Sequence, residues 1–366
     1  MIKGMKITTL AAAGALVLGM GIASQAQAAS KLTVVSWGGA YTKSQVEAYH
    51  KPFSKKTGIQ ILSENYSGGL AEVKAQVEAK NVKWDLVDVE MSDAVRGCDE
   101  GLLEPIDPSI LPPAPDGTPA MKDFIPGSVT ECAVPTIVWS TIYAYDNTKF
   151  PGAKPTTMAD FFNVKKFPGK RGMRKLPKAN LEMALIADGV SNKDVYKVLN
   201  TKAGVDRAFK KMDSIKDSVV WWEAGAQPPQ LLADGEVVMT TAYNGRIFNA
   251  QVEEKKPFTI VWDGQVFDLD LWVIPKGSKN KAEALKFIAF STDTQRLADQ
   301  AKYISYGPAR NSSIPMLGKH ATAGVDMGPH MPTAPANFKT AIQNDFEFWA
   351  DKSDELNERF NAWLTK

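Results

Sequence analysis

Between residues 32 and 89 the chain alternates short apolar runs with helical periodicity, and that alternation leaves few folds open. Leu32, Thr33, Val34, Val35, Ser36 and Trp37 read as a buried strand that ends at Gly38-Gly39. In the next segment Val46, Tyr49 and Phe53 share one helical face before Gly58 stops it. Ile59 to Leu62 reads as a second strand, Leu70, Val73 and Val77 mark a second helix, and Trp84 to Val89 reads as a third strand. This βαβαβ opening predicts an α/β fold with a mainly parallel sheet. Ligands of such sheets sit beyond the carboxyl ends of the strands, so Trp37 to Tyr41, Tyr66 to Gly69 and Glu90 to Asp93 should surround one crevice.

Ahead of this opening, Met1 to Ala29 carries Lys3 and Lys6, an apolar run from Thr8 to about Ala23, and Ala26-Gln27-Ala28. A basic start, a short apolar middle and an A-x-A exit predict a secretory signal peptide over residues 1–28, cleaved after Ala28. The apolar stretch is shorter than the ~20 residues of a spanning helix and is broken by Gly14, Gly19 and Gly21. No cysteine near the cleavage site offers a lipid anchor, so a soluble periplasmic protein is expected. Removing Lys3 and Lys6 takes 43 Lys+Arg to 41, against 41 Asp+Glu, and the net charge falls to zero. A neutral chain has no electrostatic footprint for nucleic acid or an anionic membrane. The 338 residues left of 366 after removal of 28 exceed what one core usually serves, which predicts two domains.

The middle of the chain reads as an inserted lobe, entered through Ser140 to Asn147 and left through Val266 to Pro275. Within it lie Asp160-Phe161-Phe162, a basic loop Lys165 to Lys175, an apolar helix Leu181 to Ala187 and a strand Glu236 to Thr241. The expected division is residues 29–144 in lobe 1, 145–270 in lobe 2, and 271–366 returning to lobe 1 with C-terminal helices. A discontinuous lobe with an insertion is a hinge architecture that closes around a ligand. The chain has two cysteines, Cys98 and Cys132, and in an oxidising compartment such a pair predicts a disulfide. They form no C-x-x-C, and His50, His320 and His330 have no ligand spacing, so a metal site is unsupported.

Four motifs in order, Val35-Ser36-Trp37-Gly38-Gly39-Ala40-Tyr41, Trp84-Asp85-Leu86-Val87, Tyr243-Asn244-Gly245 and Phe267-Asp268-Leu269-Asp270 through Ile274-Pro275 and Lys279-Asn280-Lys281, give the chain a specific likeness. It resembles the polyamine-type, spermidine/putrescine-like periplasmic solute-binding proteins of ABC importers. The resemblance implies a two-lobed, type II binding-protein fold with the ligand enclosed between the lobes, a membrane permease as partner, a monomer and no cofactor. Asp268 and Asp270 stand two apart on a strand and share a face. Spacing alone suits a solvated strand edge or a salt bridge to a lysine slightly better than a site. The resemblance reverses that preference, since Asp270 matches an acid that grips a ligand ammonium, whereas Asp268 falls where the family has an aromatic. Trp37, Tyr41, Tyr243 and Tyr306 match aromatic positions whose faces attract an alkylammonium. Glu90 and Ser92 fall where the family places hydroxyl-bearing contacts.

The departures matter as well. Where the polyamine binders carry acids before the second-lobe helix, this chain has Leu176, Pro177, Lys178 and Ala179, and Arg246 follows Tyr243-Asn244-Gly245 directly. Loss of acids and gain of a guanidinium favour a short diamine or an ω-amino acid, whose carboxylate an arginine holds in a bidentate pair. If Arg246 is instead neutralised by Glu223, Glu90 or Asp268, a diamine is preferred. The family likeness points first to a polyamine such as putrescine or spermidine, with γ-aminobutyrate as the alternative. An enzyme is disfavoured by the lack of G-x-S-x-G, P-loop, H-E-x-x-H and G-x-G-x-x-G motifs. A ferric-ion binder would want adjacent tyrosines and a histidine; Tyr143 and Tyr145 flank Ala144 with no histidine nearby.

Overall fold

The first strand, β1 (Lys31–Ser36), is buried over all but its first residue, as its unbroken apolar run requires. It pairs in parallel with β2 (Gln60–Asn65) on one side and β3 (Leu86–Glu90) on the other. The helix between β1 and β2 runs from Gly39 to Thr57 with a π-helical turn at Val46–His50, and Gly58 ends it at φ 76°. The computed structural model describes Met1 and residues 30–366; the signal-peptide segment 1–28 therefore lies, Met1 apart, outside the described residues.

Seven further strands follow: β4 (Ala133–Asp146), β5 (Arg171–Arg174), β6 (Val219–Trp222), β7 (Met239–Tyr243), β8 (Phe258–Val273), β9 (Gly307–Pro308) and β10 (Ile342–Gln343). Their order is β2-β1-β3-β8-β4-β7-β5-β6, with β10 beside β8 and β9 beside β4. One lobe is built on β2-β1-β3 and the other on β7-β5-β6. β4 and β8 run through both, since the 16 residues of β8 reach about 50 Å. Their antiparallel register runs from Ala133↔Val273 with a one-residue shift between Pro135 and Ile137, reaches Thr141↔Val266, and then slips further to Tyr143↔Val261. The displaced residues of β8 are held from outside the ladder: Gln265 Nε2 donates to the carbonyls of Pro332 and Asn337. That slip is where one lobe gives way to the other.

Each lobe has its own core. Phe53, Trp272 and Phe287 pack under one face of the first lobe, while Val35, Val87 and Leu271 fill the other with Met91 and Ala94. Phe161, Leu181, Phe209 and Met212 form the centre of the second. Cys98, on the helix after β3, is bonded to Cys132 at the start of β4, with 5.8 Å between Cα atoms.

Three expectations need correction. The basic stretch Lys165 to Lys175 is not all loop, because β5 occupies Arg171–Arg174. Arg171 is fully buried there, its guanidinium donating to the carbonyls of Phe161, Phe167 and Gly169; a charge satisfied by backbone leaves no apolar signature to read. The strand placed at Glu236 to Thr241 lies at Met239–Tyr243. And although the helix Lys281–Ser291 joins the first-lobe core, the last helix, Phe346–Leu364, is shared between the lobes. Its Asp354 pairs with Arg96 of the first-lobe helix Met91–Asp99 at 2.8 Å, while its aromatic face turns to the second lobe. Trp349, Phe360 and Trp363 pack into the second-lobe core, and Trp363 Nε1 donates to Asp213 at 2.7 Å. Periodicity shows that a helix has an apolar face, not which lobe covers it.

Candidate ligand-binding cleft

Strand ends bring the site together. Trp37 follows β1, Glu90 closes β3, and Asp270 on β8 stands directly opposite Glu90 in the antiparallel register. Tyr243 closes β7 and begins the helix Asn244–Val252, whose first turn carries Arg246. With Tyr41, Trp139 and Tyr306, these residues line a narrow pocket between the lobes. All except Trp37 are buried. The walls are aromatic rings set edge to face: Trp139 lies 4.9 Å from Tyr243 and Tyr41 lies 5.3 Å from Tyr306, both at 77°.

Two glycines make the close approaches possible. A Cβ on Gly39 would sit 2.7 Å from Arg246 Nη1, so only glycine lets the arginine cross from one lobe to the other there. A Cβ on Gly68 would sit 2.4 Å from the Trp37 ring.

The acids are crowded and poorly compensated. Asp270 Oδ1 accepts from Trp139 Nε1 at 2.7 Å, but burial, reinforced by Asp88, Glu90 and Asp268, drives its pKa well above the usual carboxylate range. Burial also pushes Asp88 up to about 7, against hydrogen bonds from Gln45 and Ser36, and Asp268 up to about 8. Glu90 behaves differently. Burial raises it too, yet Lys178 and Arg174 outweigh that and hold it below its ordinary value. Lys178 Nζ lies 2.6 Å from Glu90 Oε2, and Arg174 Nη1 lies 3.5 Å from Oε1.

Arg246 is buried and has no carboxylate partner among the described residues. Its Nη1 donates to the Gly38 carbonyl and its Nη2 to the Trp37 carbonyl. The acids considered for it are engaged elsewhere: Glu223 with Lys175 at 3.0 Å, Glu90 with Lys178 and Arg174, and Asp268 with the Leu269 N–H and Asn344 Nδ2. The pocket therefore holds two acids, Glu90, which is paired with Lys178 and Arg174, and Asp270, and one base, Arg246, which is paired with neither.

Of the residues singled out from sequence, Trp37, Tyr41, Glu90, Tyr243, Arg246, Asp270 and Tyr306 share this pocket. Ser92 and Asp268 do not line it. Ser92 Oγ accepts from Lys178 at 2.6 Å, and Asp268 lines an adjoining space with Lys178, Glu90 and Trp139. Asp268 shares a strand face with Asp270, but Trp139, its cross-strand partner, lines both spaces and stands between them. Sequence reasoning missed Trp139, one residue ahead of the segment read as the crossing strand, and Arg174, which falls in the stretch read as loop.

A fold of two α/β lobes joined by long shared strands, with a buried polar site between them, defines a binding protein. The bacterial extracellular solute-binding protein family matches residues 48–333, and the chain belongs to it. It is 48% identical over 349 residues to the gamma-aminobutyric acid-binding protein of Pseudomonas aeruginosa, covering 95% of each chain. To the spermidine/putrescine-binding periplasmic protein of Escherichia coli K12 it is 25% identical over 301 residues, covering 81% of this chain and 82% of that one. A solved structure of the Atu4243 GABA receptor is 32% identical with a TM-score of 0.77, covering 92% of this chain and 98% of that one. The protein is thus a solute-binding component of an ABC transporter and not an enzyme; such components bind small ligands and work with a membrane permease. Among the described residues no helix is long and apolar enough to cross a membrane.

Proposed function

We propose that this protein captures a short ω-amino acid of the γ-aminobutyrate class in the periplasm, after loss of residues 1–28, and delivers it as a monomer to its permease. One observation carries the reading: the Asp270 carboxyl and the Arg246 guanidinium line the same aromatic pocket and are not paired with each other. The ligand ammonium goes to Asp270 and the faces of the surrounding rings, and the carboxylate goes to Arg246, while the methylenes lie against Trp139 and Tyr243. A buried guanidinium facing only neutral carbonyls is short of a counter-charge, which a zwitterion supplies and a diamine does not. Relatives named for γ-aminobutyrate agree with this assignment. The polyamine reading, first choice from sequence, gives way to it, because the second ammonium of putrescine would meet Arg246.

Titration calorimetry with γ-aminobutyrate and putrescine tests the proposal. The parent protein should prefer γ-aminobutyrate, and Arg246→Ala should weaken that ligand by about thirtyfold or more, the cost of leaving one partner of a buried charge pair alone. A parent that prefers putrescine, or a variant that binds γ-aminobutyrate unchanged, would remove Arg246 from the site.

A further inference from the structure

We infer that Lys178 is a tethered ammonium: it fills an amine subsite beside the ligand pocket with the protein's own side chain, and so keeps diamines and longer polyamines out. The identity of the excluded ligands rests on the ω-amino-acid reading; the subsite itself does not.

The geometry around Lys178 is that of a bound amine. Its Nζ lies 2.6 Å from Glu90 Oε2 and 2.6 Å from Ser92 Oγ, and 5.9 Å from the centre of the Trp349 ring. A carboxylate, a hydroxyl and an aromatic face are the three partners that an alkylammonium seeks. Asp268 lines the same space, and Asp93 also acts on the ammonium, so one lysine answers several acids with only 14% of its side chain exposed. Glu90 borders this space and the ligand pocket alike, which makes the two neighbouring compartments of one cleft.

The backbone is bent to place this side chain. Ala179 adopts φ +66°, a conformation that residues with a Cβ rarely take and that marks sites where surrounding structure enforces it. Asn180 then pins the loop, its Nδ2 donating to the carbonyls of Arg174 and Leu176, both at 2.7 Å. Lys178 is thus delivered from the second lobe to Glu90 and Ser92 at the end of β3 in the first. A diamine with one ammonium on Asp270 that turned its other away from Arg246 would bring it toward Glu90, and Lys178 already holds that position.

The test is truncation with chemical rescue. In Lys178→Ala, putrescine affinity should rise by about thirtyfold or more, and γ-aminobutyrate affinity should fall by about tenfold, since Glu90, left with Arg174 alone at 3.5 Å, repels a carboxylate more strongly. n-Propylammonium at millimolar concentration should raise the melting temperature of the variant and leave that of the parent unchanged. A variant that keeps the parent's circular dichroism yet shows the parent's putrescine affinity and no response to n-propylammonium would overturn the proposal. Should Lys178→Ala fail to fold, Lys178→Met keeps the stem and reads the same putrescine gain. Amine-directed labelling of the unmodified protein is an independent check: Lys178 should be protected when ligand is bound, and labelling as fast as at exposed Lys175 overturns the assignment. A parent that does not bind γ-aminobutyrate sinks the ω-amino-acid reading, while n-propylammonium rescue still decides the role of Lys178.

Discussion

Two buried acid–base pairs in this molecule are treated in opposite ways. In the first lobe Asp123 and Arg310 are joined: Nη1 to Oδ2 is 3.3 Å, the Ser312 N–H and hydroxyl donate to the same carboxylate at 2.8 and 2.6 Å, and Arg310 Nη2 donates to the Pro112 carbonyl. The guanidinium also lies 4.3 Å from the Phe124 ring centre. In the cleft, Asp270 has Trp139 and Arg246 has two carbonyls, and the two charges face a shared space rather than each other. All four residues are buried. The closed pair meets its own opposite charge and serves the fold; the open pair leaves that for something that carries both charges at once.

Removing one partner should separate the two regions most sharply in stability. Asp123→Ala leaves Arg310 charged and buried, and urea unfolding should show a loss of about 3–5 kcal/mol with ligand affinity of the folded protein unchanged. Loss of affinity in that variant would mean the closed pair belongs to the site. At Asp270 the prediction reverses. Asp270→Asn should cost about 2–4 kcal/mol of γ-aminobutyrate binding by calorimetry, about thirtyfold or more in Kd, while the ligand-free melting temperature stays level or rises. A large drop in that melting temperature would make Asp270 a structural acid like Asp123.

The smallest effect is in pH. Asp88 near 7 and Asp268 near 8 both lie above the unfolded carboxyl value of about 3.9, so the folded protein keeps protons that the unfolded chain has released. Their contribution to stability is full below about pH 4 and is lost as pH rises to about 8. Burial lowers His50 to about 4 and also lowers His320 and His330, which gives the opposite slope below about 6.5. Between about pH 6.5 and 8 Asp88, Asp268 and Asp270 all act in the same direction, and the ligand-free protein should lose stability as pH rises. Asp268→Asn should remove part of that fall; an unchanged slope would place its origin elsewhere.

Much of the architecture is legible in the sequence. The βαβαβ opening, the crossing strands and the cysteine pair follow from apolar period, glycine stops and composition, because local sterics and burial write themselves into neighbouring residues. Seven of the nine singled-out cleft residues meet in one pocket: the sheet rule located Trp37, Tyr41 and Glu90, while the family resemblance supplied Tyr243, Asp270 and Tyr306, and the departure from it Arg246. What is not legible depends on partners distant in sequence. Asp268 and Asp270 look alike from spacing, and the ring of Trp139, more than 120 residues earlier, separates them. The last helix could have covered either lobe. Above all, the sequence holds Arg174, Lys178, Glu90, Asp270 and Arg246 as five charges without assignments. By itself it determined a two-lobed α/β chain with acids and aromatics at its strand ends. Which charges neutralise one another and which pair stays open was decided only when folding set their distances, since Coulomb energy depends on separation and burial rather than on order along the chain.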